Sequence, residues 1–75
     1  MFVEMKIKDK DDVQTISDMA AKQDFEMYVS NQDGTFTVNA KSILALFALI
    51  GKRVRLVAPD HLNADKFIEA VRSLV

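Results

Sequence analysis

The sequence predicts an α+β open-faced sandwich of order βαββαβα, a four-stranded antiparallel sheet with three helices on one face. Three observations predict it. Four short stretches alternate apolar and polar residues at the period of a half-buried strand. Three others carry apolar residues at helical spacing, each opened by a residue able to cap a helix. The two kinds follow one another so that a hairpin lies between two strand–helix–strand crossovers, a split βαβ layout.

The first strand is Phe2 to Ile7, with Val3, Met5 and Ile7 on one face and Phe2, Glu4 and Lys6 on the other. A charged turn follows, in which Asp9 or Asp11 is placed to cap a helix whose apolar stripe is Val13, Ile16, Met19 and Ala20, ending near Gln23. Phe25, Met27 and Val29 alternate with Glu26, Tyr28 and Ser30 in a second strand. Asn31-Gln32-Asp33-Gly34 turns the chain, Asp-Gly being a strong hairpin signal, and Thr35 to Asn39 returns as a third strand.

Lys41 to Gly51 is the stretch around which the rest is organised. Ser42 stands at an N-cap, eight apolar residues from Ile43 to Ile50 continue the helix, and Gly51 can take the left-handed conformation that stops it. This helix has no polar face. A two-layer domain covers only one side of a helix, so part of its apolar surface must meet water or a partner. Leu46, Leu49 and Ile50 are expected to face the sheet, and Ile43, Leu44 and Phe47, at i, i+1 and i+4, to face away. Arg53 to Ala58 is the fourth strand, with Val54, Leu56 and Ala58 inward. After Pro59-Asp60-His61, Asn63 caps a final helix with a stripe of Ala64, Phe67, Ile68, Val71 and Leu74; Leu62 and Phe67 occupy the positions of a hydrophobic staple. The open sheet face is expected to carry Glu4, Lys6, Glu26, Tyr28, Thr37, Arg53 and Arg55.

Seventy-five residues make a single domain, 1–75. The net charge of −1 gives no electrostatic case for nucleic acid or an anionic membrane. With no cysteine, disulfides and the usual zinc sites are excluded, and nothing argues for secretion. The alternating, charged start is no signal peptide, and the apolar run is too short to span a bilayer, so a cytoplasmic protein is expected. No metal or cofactor is expected. No constellation of nucleophile, base and orienting group is present, so no enzyme is expected either.

The element order and the segment Val38-Asn39-Ala40-Lys41-Ser42-Ile43-Leu44-Ala45-Leu46-Phe47-Ala48-Leu49 resemble HPr, the small histidine-containing phosphocarrier of the bacterial phosphoenolpyruvate-dependent sugar phosphotransferase system. The segment looks like that family's third strand and regulatory-serine helix, with Lys41-Ser42-Ile43 at the regulatory motif, and the likeness continues through Val54-Arg55-Leu56-Val57-Ala58 and the closing helix. The departure is at the site that defines the family. HPr carries its phosphorylatable histidine in a Gly-Ile/Leu-His-Ala/Thr-Arg-Pro motif between the first strand and first helix. Here that interval reads Ile7-Lys8-Asp9-Lys10-Asp11-Asp12-Val13, shorter and without histidine, arginine or proline.

The resemblance implies an HPr-like regulatory or binding protein without histidine phosphocarrier activity, similar to the catabolite-repression HPr homologue, which lacks the histidine but keeps the serine. It makes Ser42 a candidate regulatory phosphorylation site and Ile43, Leu44 and Phe47 a candidate protein-docking patch, used as a monomer or closing a weak homodimer. His61, the one histidine, follows the fourth strand, where an exposed turn residue is expected. Two other readings stand beside this one. The chain is an interaction or oligomerisation module sharing only the fold, or a phosphocarrier with a relocated site.

Overall fold

The computed structural model describes residues 1–74, and of Ser73 the backbone alone. The elements follow the expected order: β1 (Phe2–Lys6), α1 (Lys10–Ala21), β2 (Tyr28–Asn31), β3 (Thr37–Asn39), α2 (Ile43–Phe47), β4 (Arg53–Val57) and α3 (Ala64–Val71), which tightens into a 3₁₀ turn at Arg72–Leu74. Any continuation to Val75 lies outside the described residues. The strands form one antiparallel sheet in the order β1-β4-β2-β3. β4, the last strand in sequence, therefore lies inside the sheet, and each crossover straddles one strand. α1 packs against both α2 and α3.

Between sheet and helices lies the core. Ile7, Val29, Val54 and Leu56 come from the sheet side, Val13, Ile16 and Met19 from α1, and Leu46, Leu49, Phe67 and Val71 from the α2 and α3 segments, all at most 5% exposed. The strand periodicity is realised in register: Phe2, Val57 and Tyr28 form one row on the outer face, Glu4, Arg55 and Ser30 the next, and Lys6 faces Arg53.

Helix starts follow the capping logic at two of three positions. The Asp9 carboxylate accepts from the amides of Asp11 and Asp12, at 3.1 and 3.2 Å, and the Asn63 side chain accepts from Asp65 N at 2.8 Å. Ser42 occupies the N-cap backbone position of α2, but its hydroxyl makes no cap bond. Its carbonyl accepts from Leu46 N and its amide donates to Asn39 O.

Several boundaries and faces depart from the sequence pattern. β2 starts at Tyr28, not Phe25, because Asp24 and Phe25 are drawn towards α3: the Lys66 ammonium lies 2.6 Å from the Asp24 carboxylate and 5.7 Å above the Phe25 ring. β3 starts at Thr37, because the Asn31 side chain bonds Phe36 N and Thr35 Oγ1 and keeps both residues in the loop. There Gly34 turns at φ +75°. α2 stops at Phe47, and the chain continues through i→i+3 bonds from Ala48, Leu49 and Ile50 to Gly51 at φ +90°. That tightening leaves Ile50 exposed instead of facing the sheet. Along α3, Ile68 is also exposed, with Ala70 buried beside Phe67 and Val71. Ser30 lies on the outer face yet is buried, in the middle of the sheet.

Candidate functional site

Ile43, Leu44 and Phe47 all face solvent, as the lack of a polar face on α2 predicted. Leu44 is 85% exposed, Phe47 46% and Ile43 38%, while Leu46 on the other side of the same turns is fully buried. The sequence pattern missed Ile50, which extends the apolar strip by one more turn. Its signal was the glycine at Gly51: an early stop tightens the last turn and rotates the residue before it off the sheet. Lys41 and Ser42 stand exposed at the start of the strip.

The end of the strip is tied to the β1–α1 connection. Gly51 N donates to Ile7 O at 2.6 Å, and Ile7 N donates to Lys52 O at 3.1 Å. The strip thus abuts the start of α1, the position at which a phosphohistidine would need free amides and a cation. Here Asp9 takes two first-turn amides, and Asp12 Oδ2 takes the amide of Lys8 at 2.7 Å and lies 3.6 Å from its ammonium. The amides are capped by the chain's own carboxylates, which would repel a phosphoryl group.

His61 lies elsewhere. β1 and β4 are antiparallel, so the turn after β4 is at the end of the sheet opposite the start of α1. His61 is exposed, and its neighbour Asp60 is engaged by the Met1 amino group at 2.6 Å. That hydrogen bond, and the ammonium charge behind it, hold the Asp60 carboxyl below the ordinary range. The structure brings Ser42, Ile43, Leu44 and Phe47 together and leaves His61 apart from them. Among the described residues, no group of three or more histidine, aspartate or glutamate side chains is placed to share a metal ion. Among the same described residues, no helix is long and apolar enough to cross a membrane.

No family model matches the sequence, and no curated protein matches it. Among solved structures, the whole chain superposes on 90% of HPr-C-His from Thermoanaerobacter tengcongensis, with a TM-score of 0.70 and 25% sequence identity. The fold is that of HPr. Four antiparallel strands with three helices on one face are what the element order predicted, and the apolar α2 strip belongs to an HPr-like framework over its full length.

Proposed function

We propose that this HPr-like chain is a regulatory protein-binding member of the phosphotransferase-system group that docks a protein partner through α2 and does not carry phosphate on histidine. One observation carries the reading: Ile43, Leu44 and Phe47 project from a helix whose other side is fully buried. An apolar strip held on a rigid helix suits a partner's groove or helix face better than it suits water. The capping of α1 by Asp9 supports the second half, since the Asp11 and Asp12 amides beside the strip are already taken by a carboxylate. Ser42 fits a regulatory role, because its exposed hydroxyl is not engaged as a cap and a phosphate there would place negative charge at the edge of the apolar strip. The protein acts in the cytoplasm and catalyses nothing itself.

The test is incubation with enzyme I and radiolabelled phosphoenolpyruvate, then with HPr kinase and ATP. No label in the first and label on Ser42 in the second is the expected pair of results. Acid-labile phosphate on His61 would overturn the reading. Failure of both reactions, with partner binding still lost in Phe47→Lys, would instead favour an interaction module that shares only the fold.

A further inference from the structure

The other face of the sandwich carries a feature that the α2 strip does not explain. Lys6 and Arg53 stand directly opposite each other on β1 and β4, and Arg55 follows two residues on, on the same face. Like charges paired across strands are destabilising. Among the described residues, none of the three is in an ion pair. Glu4, the carboxylate in register with Arg55, accepts instead from Gln32 Nε2 at 3.1 Å. The Arg55 guanidinium lies 4.4 Å over the Phe2 ring, with its Nε buried and without a hydrogen-bond partner. Beside it, Phe2, Val57 and Tyr28 make an apolar row across three strands, and Phe2 and Tyr28 are exposed.

We propose that this open sheet face is a second docking site, for a short acidic segment of a protein partner. Charge complementarity chooses the occupant. Three unpaired cations against two carboxylates, Glu4 and the Glu26 that accepts from Asn39 Nδ2 beyond the apolar row, leave the face net positive in a chain whose total is −1. The patch is too small, and the rest of the surface too acidic, to hold a polyanion such as nucleic acid by counterion release. It suits two or three carboxylates, with an apolar or aromatic side chain on the row beside them. Carboxylates there would relieve the Lys6–Arg53 repulsion and meet the outward guanidinium groups in charge-assisted bonds. Because α2 lies in the helix layer and this patch on the opposite face, both sites can be filled together. The protein then bridges two partners.

Amide shifts of the ¹⁵N-labelled protein, titrated with the peptide Glu-Glu-Phe-Glu-Glu, test this. Shifts confined to β1, β4 and Tyr28 are expected, weakening as salt rises from about 50 to about 300 mM. Lys6→Glu and Arg53→Glu should each weaken binding by roughly tenfold or more, while Phe47→Lys, on the other layer, leaves it unchanged. Lys6→Glu should at the same time raise the urea midpoint of the free protein, because it turns a repulsive cross-strand pair into an attractive one; a variant that loses binding merely by misfolding would lower it. Absence of shifts, shifts centred on α2, or binding indifferent to both charge reversals would overturn the proposal. So would an oligothymidylate that displaces the peptide from the same amides, since the occupant would then be nucleic acid.

Discussion

Asn63 and Ser42 stand at the same backbone position of their helices, yet only the Asn63 side chain reaches a first-turn amide. The two should therefore respond differently to truncation. Asn63→Ala is expected to cost about 1 kcal/mol in urea unfolding, and Ser42→Ala less than about 0.5 kcal/mol. Equal losses would mean that the Ser42 hydroxyl caps α2 in solution. Neighbours on α2 differ in the same way, for a different reason. Lys at Phe47 keeps its ammonium in water, so Phe47→Lys should change stability by less than about 1 kcal/mol. Leu46→Lys buries an unpaired charge against the sheet and should cost more than about 3 kcal/mol or abolish folding. If both variants melt alike, the helix is covered on both sides and the docking strip does not exist.

At the scale of elements, the contact between the α1–β2 connection and α3 is electrostatic and so depends on pH. Lys66 lowers the Asp24 carboxyl, first through their hydrogen bond and then through its charge. A folded pKa below the unfolded one contributes stability that is fully present above the unfolded value, about 3.9, and is lost as pH falls through the lowered folded value. Lys66→Met keeps most of the side chain's length and removes the charge. Its stability deficit, read by urea melts at several pH values, should be present at neutral pH, shrink in added salt, and vanish once Asp24 is protonated in both states. A deficit independent of pH would mean that Lys66 acts only by packing. Both α1 and the outward face of α2 were legible because their stripes obey the helical period: Val13, Ile16, Met19 and Ala20 are buried as spaced, and Ile43, Leu44 and Phe47 are exposed as spaced. What failed was set by tertiary partners or by the end of a helix. Phe25 left its strand for Lys66, Phe36 stayed in a loop built by Asn31, and Ile50 turned outward where α2 tightened. An N-cap preference names a backbone position, not the rotamer that would use it, so Ser42 takes the position without making the bond.

For the molecule as a whole, the decisive fact is that β4 sits between β1 and β2. Leu56, buried in β4 with both neighbours beside it, should be the costliest sheet residue to truncate, Leu56→Ala losing about 3–5 kcal/mol, near the top of the large-to-small range. A fragment of residues 1–52 keeps β1, α1 and the β2–β3 hairpin but has no strand to join them. Circular dichroism of that fragment should show no cooperative melt, and a cooperative one would mean that the hairpin and helices suffice without the central strand. The same placement bears on how the chain is made. On the ribosome β1 emerges first and must wait for the roughly fifty residues that precede Arg53, a few seconds at ~5–20 residues per second. Throughout that interval β1 and the β2 flank of the hairpin present open edges to solvent, which makes the half-made chain, more than the finished one, the natural client of a chaperone.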